Sequence, residues 1–202
     1  LAKPGSPIIL HVDALRYNAY KKLAHRAIVL LPEGVLAPDL PSKQIVRYKV
    51  SEQMEDLGAT RAVQASQQVT IEGQNYPIAS PSKGIASNTA LAVVAAKYLG
   101  IAESDIRKRV EAWRPSGNRG YLETFREQTF YIDCYNANPS SMADALDAFD
   151  RSTPQNIARF YVLGAMDELG TTASAHHEAI GHLLKLRPKD RAAFVGSKEL
   201  TN

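Results

Sequence analysis

Cysteine is almost absent from this chain, and the scarcity excludes a good deal. The 202 residues contain one, Cys134, which cannot close an intrachain disulfide and fits a reducing compartment, so a cytoplasmic protein is expected. No apolar run approaches the roughly 20 residues that a bilayer requires. No charged start followed by an apolar stretch and cleavage site marks a secretory leader. A membrane partner is therefore not expected. The loop G-x-x-x-x-G-K-[ST] is missing, so the chain has no P-loop of its own, and G-x-S-x-G and C-x-x-C are missing too. A large excess of one charge is also lacking: 24 Lys and Arg stand against 21 Asp and Glu, a formal charge of +3. The cations read as scattered rather than striped, which gives a nucleic-acid partner no support. The start at Leu1 lacks an initiator Met and reads as the middle of a longer chain.

What is present is the composition of a globular protein with a core, 45% hydrophobic and 22% charged. Short strands are predicted at Pro7–Val12, Ala27–Leu31 and Gln44–Val50. Helical spacing runs over Asp13–Ala24 through Leu15, Ala19 and Leu23, and Pro32–Lys43 reads as loop. Gln68–Ile71 and Tyr76–Ala79 flank Glu72–Asn75 as a hairpin. Helices follow at Ser87–Leu99, closed by Gly100, and at about Ser104–Trp113. Arg114–Gly120 is dense in breakers and makes the best domain boundary. Beyond it strands at Phe130–Cys134, Phe160–Leu163 and Ala192–Val195 alternate with helices at Pro139–Phe149 and about Ala173–Leu186. That alternation predicts an α/β fold with a parallel sheet and right-handed crossovers.

The sharpest local signal is Thr129–Phe149, a strand that turns straight into a helix. Asn138 stands where an N-cap belongs and Pro139 where the first helical residue belongs. The intervening loop, Asp133–Asn138, lies at a strand's carboxyl end and a helix's positive end, where open α/β sheets bind ligands. The turns Gly164–Gly170 and Gly196–Lys198 are expected on the same edge. With Arg119 as a charge-assisted donor they form a polar rim able to hold a phosphate-bearing ligand. Asn136 and Asn138 either hydrogen-bond that ligand or merely cap the helix and close the turn. His176 and His177 point about 100° apart on a helix and suit one metal ion poorly; His182 lies on another face. His11 and His25 have no nearby partners in sequence. Cys134 is expected to pack inside its strand. Asp167 and Glu168 read either as a solvated acidic loop or as groups that orient an amine or a metal.

Ile132–Met142, IDCYNANPSSM, resembles the D-x-Y-N-A-N-P-x-S-M signature of the Mur ligases. Tyr161–Gly170 with His177, YVLGAMDELG…H, is similar to that family's V-L-G-D-M-x-E-L-G…H segment, and Ala192–Gly196, AAFVG, to its next strand. Ser87–Ile101 resembles the end of the family's central domain, and Pro115–Gly120 its P-x-x-G-R linker. The resemblance implies that residues 1–113 are the later half of an ATPase-type central domain. Residues 114–202 would be most of a Rossmann-like C-terminal domain with a mostly parallel sheet. It implies a fragment of an ATP-dependent amide ligase of peptidoglycan precursor synthesis, whose partners are a UDP-linked muramoyl peptide and D-alanyl-D-alanine. In that reaction ATP phosphorylates a carboxylate and the incoming amine displaces phosphate from the acyl phosphate. Mg²⁺ neutralises phosphate charge, with ligands mostly outside this chain.

Carried over by position, Asn88 would read adenine and Arg119 would reach the nucleotide's phosphates or ribose. Asp133, Asn136 and Asn138 would form the nucleotide-side motif. Asp167, Glu168 and His177 would lie beside the amine-substrate pocket. No catalytic residue and no metal ligand is assigned within the chain, and by itself it is expected to be inactive. The sequence departs from the family pattern at Gly84-Ile85, where His-Asn is usual, at Ala165 in place of an aspartate, and at an inserted Asn118. The alternatives are a degenerate Mur-like domain that binds without catalysis, or a ligase of the folylpolyglutamate or cyanophycin type.

Overall fold

The structure is a computed structural model and describes residues 6, 8–37, 39–40, 44–55 and 64–196. These fall into two compact units. The first lies within Leu1–Gln53, Ser66–Ala79 and Ile85–Trp113, the second within Met54–Ala65, Ser80–Gly84 and Arg114–Asn202.

The first unit is built on a five-stranded sheet in the order β1 (Ile8–His11), β2 (Ala27–Pro32), β3 (Ile45–Glu55), β4 (Gln64–Ile71), β5 (Gln74–Ile78). β1, β2 and β3 run parallel, and β4 and β5 form an antiparallel hairpin. β2 reads as an unbroken apolar run because both of its faces are covered: Val29 and Leu31 enter one cluster, Leu30 the other. The hairpin turn is tighter than expected. Only Glu72 and Gly73 are unpaired, with φ of 49° and 78°, the signs of a two-residue turn that follows strand twist. The helix predicted from Ser87 begins earlier and spans Lys83–Tyr98 (α2). Ala86, Ala90, Val93 and Val94 are its buried stripe. α3 (Glu103–Ala112) adds Ile106 to the same core.

The helix expected over Asp13–Ala24 is not continuous. A 3₁₀ turn at Val12–Arg16, a single α turn at Asn18–Lys21 (α1) and a 3₁₀ turn at Ala24–Arg26 replace it. The physical reason is the missing middle of the stripe: Leu15 and Leu23 are half-buried, but Ala19 is exposed. A helix this short holds only where a face is packed.

In the second unit β6 (Tyr121–Phe125) and β7 (Gln128–Ile132) pair antiparallel, and β8 (Phe160–Gly164) and β9 (Arg191–Val195) pair parallel. α4 (Pro139–Ser152) and α5 (Ala173–Leu183) complete it. The expected run of three parallel strands is thus met by β8 and β9, while β7 takes β6 as its partner among the described residues. β6 carries no turn signal in sequence and was not anticipated. Leu146, Tyr161, Met166 and Ile180 form the core, with Met142, Phe149, Leu163 and Leu169 packed against it. Phe149 meets Tyr161 edge-on at 5.2 Å and Tyr131 at 6.3 Å, so α4 touches β7 and β8 alike.

The start of the parallel pair is fastened by charge. Arg159 immediately precedes β8 and Asp190 immediately precedes β9; their side chains are 1% and 0% exposed. Asp190 accepts from Arg159 N, Nε and Nη2 and from Arg187 N. Asp150 is a further partner of Arg159. Burial works to raise the Asp190 carboxyl, but the Arg159 guanidinium and the backbone donors outweigh it and hold it at about 2.

Candidate nucleotide site

The linker expected to carry Arg119 coils back on itself. Gly117, Asn118 and Gly120 all have positive φ, at 65°, 59° and 58°. Asparagine tolerates that region better than most side chains, so the inserted Asn118 is absorbed in the coil. Its carbonyl accepts from Cys134 N at 2.9 Å, and Ser80 Oγ donates to Gly120 O at 3.1 Å. The Arg119 guanidinium then lies over the Tyr135 ring, 4.0 Å from its centroid. Tyr135, expected on the polar rim with Asp133, Asn136 and Asn138, is 64% exposed, so the pair presents a held cation to solvent. A guanidinium stacked on an aromatic ring keeps its hydrogen-bonding edge for a carboxylate or phosphate.

Asp133, two residues before Tyr135, is half-buried. Burial pushes its carboxyl above the ordinary range, repulsion from Asp144 adds to this, and Arg119 and a hydrogen bond from the Gly120 backbone pull it back. Cys134 corrects an expectation: β7 stops at Ile132, and the thiol is exposed rather than packed in a strand. Asn136 Oδ1 accepts from Ala137 N at 2.9 Å. Asn138 Oδ1 accepts from Ser141 N at 3.0 Å while Ser141 Oγ accepts from Asn138 N at 3.1 Å, a reciprocal cap of α4. Both asparagine carbonyls therefore serve the turn, and their amide N–H groups are what remains for a ligand.

The helix α4 carries a second polar cluster. The Asp144 carboxylate accepts from Ser82 Oγ at 2.5 Å, Lys83 N at 2.9 Å and Gly84 N at 3.2 Å. A Cβ at Gly84 would stand 3.1 Å from Asp144 Oδ2, so the glycine where the family has histidine makes room for this carboxylate. Burial works to raise Asp147, yet hydrogen bonds from Lys83 and Arg151 prevail and lower it.

The turn after β8 is held from α5. His177 Nε2 accepts from Met166 N at 2.9 Å and Nδ1 lies 2.8 Å from Ala173 O. With both ring nitrogens engaged, a neutral His177 anchors the turn. Asp167 and Glu168 are exposed beside it, Glu168 with φ of 62°. Ala165 N donates to Val195 O, and a Cβ on Gly196 would come within 2.9 Å of Ala165 Cβ. Ser197 and Lys198, expected on this rim, lie outside the described residues. Asn88 is exposed on α2 in the first unit. One residue before it, Ser87 Oγ lies 2.9 Å from Tyr48 Oη, which lies 2.9 Å from His11 Nε2. That relay was not foreseen, since its members stand 37 and 39 residues apart.

Residues 121–201, within the second unit, match the family described as Mur ligase, glutamate ligase domain. More particularly, 131 residues, 65% of the chain, are 33% identical to UDP-N-acetylmuramoyl-tripeptide--D-alanyl-D-alanine ligase of Treponema pallidum. The chain spans 28% of that relative's length. Two solved structures show the fold. MurF of Acinetobacter baumannii superposes with a TM-score of 0.61 at 22% identity, over 86% of this chain and 40% of that one. The MurF ligase of Thermotoga maritima, in complex with ADP, superposes with a TM-score of 0.62 at 15% identity, over 98% of this chain and 52% of that one.

Proposed function

We propose that this chain is part of an ATP-dependent amide ligase of peptidoglycan precursor synthesis, joining D-alanyl-D-alanine to a UDP-linked muramoyl tripeptide. In this reading residues 1–113 are the later half of the central domain and 114–202 the C-terminal domain. The observation that carries it is the stack of Arg119 on Tyr135 just past the end of β7, with Asp133 and Tyr135 inside the stretch, 121–201, that matches the Mur ligase domain.

The exposed guanidinium fits a nucleotide phosphate, and ATP supplies the phosphoryl group that activates the carboxylate. Tyr135 keeps Arg119 from wandering, so less side-chain freedom is lost when an anion arrives. Asp133 receives the Gly120 N–H and so fixes the backbone from which Arg119 projects. The amide groups of Asn136 and Asn138 face polar atoms of the ligand as donors. Asn88 reads the base. His177 holds the Met166 turn so that Asp167 and Glu168 stand free for the ammonium group of the incoming dipeptide. Among the described residues no group of three or more His, Cys, Asp or Glu could hold a metal ion.

Nucleotide binding tests this reading. In the intact protein, calorimetry with ADP is expected to show Arg119→Ala weakening binding by about 2–3 kcal/mol, the worth of a charged hydrogen bond. Arg119→Lys should recover only part of it, because an ammonium cannot stack or form a fork. Unchanged affinity in Arg119→Ala would remove the arginine from the site and with it the proposal.

A further inference from the structure

Along the sequence the cations look dispersed, but the folded first unit concentrates some of them. The segment Arg16–Arg26, RYNAYKKLAHR, holds four of the chain's 24 Lys and Arg and none of its 21 Asp and Glu; without it the formal charge of +3 would be −1. Residues 16–22 are all exposed. Seven successive exposed residues cover every side of a helical turn, so this turn stands off the core and buries no face. No ion pair joins Arg16, Lys21, Lys22 or Arg26 to any described acidic residue. Tyr17 and Tyr20 project among them, 53% and 46% exposed. Their rings meet edge-to-face at 6.4 Å, and the Arg16 guanidinium lies 4.9 Å from the Tyr17 centroid.

We propose that this protruding turn is a peripheral docking surface for an anionic lipid bilayer. Charge complementarity is the first argument: clustered Lys and Arg gather at phosphate headgroups, each worth about fivefold in partitioning. The tyrosines are the second, since an apolar ring with a polar tip suits the headgroup layer. The same rings argue against single-stranded nucleic acid. Tyr17 is already flanked by Arg16 and Tyr20, so it offers no bare platform for a base. No described helix is long and apolar enough to cross a membrane, so the contact is on the surface only.

Co-sedimentation of the whole chain with vesicles tests this. With phosphatidylcholine vesicles containing about one third phosphatidylglycerol, the chain should bind, and binding should fall steeply as salt rises from about 0.05 to 0.3 M. Pure phosphatidylcholine should leave it in solution. The double variant Lys21→Gln/Lys22→Gln should bind about 25-fold more weakly, with circular dichroism unchanged. A charge-matched control, Lys185→Gln/Lys189→Gln in the second unit, should bind as the parent does. Equal loss in both double variants, equal binding to neutral vesicles, displacement by millimolar inorganic phosphate, or preference for a single-stranded oligonucleotide would each overturn the proposal. No arm requires nucleotide, so failure here leaves the ligase reading intact, and failure of that reading leaves this one.

Discussion

Asp190 makes the plainest test at the scale of one residue. Replacing it with alanine removes the fully buried partner of the Arg159 guanidinium and leaves it only the part-exposed Asp150 and the Lys185 carbonyl, and the expected loss is about 3 kcal/mol in urea unfolding. Its pH signature has a definite sign. The folded carboxyl is held at about 2, below its ordinary 3.8. The stabilisation is therefore complete above the ordinary value and drains away as pH falls from there toward 2. The Asp190→Ala variant should lack that acid limb. Asp133 behaves oppositely. Its carboxyl is raised by burial and by Asp144, so the folded state binds a proton more tightly than the unfolded one and ionisation opposes folding. Asp133→Asn should thus raise the melting temperature at neutral pH, with the gain vanishing in acid, while ADP affinity falls. Higher stability with unchanged ADP affinity would make Asp133 a structural liability without a ligand. Tyr131, whose buried hydroxyl finds no partner among the described residues, should tolerate phenylalanine without loss.

The elements show where sequence was enough and where it was not. α4 was legible because its start is written in adjacent residues: Asn138 caps, Pro139 begins, and Met142 and Leu146 follow on one face. Asn138→Ala should cost about 1 kcal/mol. β6 was illegible because its hairpin turn is Arg126-Glu127. Both residues hold positive φ, 48° and 68°, where asparagine and glycine are the usual choice. The turn is paid in strain, and Glu127→Gly should return about 1 kcal/mol, measured by the same urea titration; no gain would mean that strand pairing already sets this geometry. The Arg159–Asp190 pair was hidden for another reason, since its members lie 31 residues apart and only parallel pairing of β8 with β9 brings them together. The Arg119–Tyr135 stack was half visible: the linker arginine and the turn motif could be read, but their meeting needed the coil at Gly117–Gly120.

At the scale of the whole molecule, each unit has its own core, yet one surface of the second is left apolar. Phe160, Val162 and Val195 are exposed, and the register places Phe160, Val162, Ala193 and Val195 on one side of the two-stranded sheet. Parallel sheets ordinarily have both faces covered. The chain should accordingly self-associate as its concentration rises, and Val162→Lys should suppress this in sedimentation velocity; an identical profile would show the face to be innocuous. The opposite end of that sheet has a different consequence. Because both strands are pegged where they begin, the segments that leave their far ends need not specify alignment. Side chains there can be exchanged for new specificities at little risk to the scaffold, and a loop carrying Ala165 can differ from its relatives while its foundation stays put.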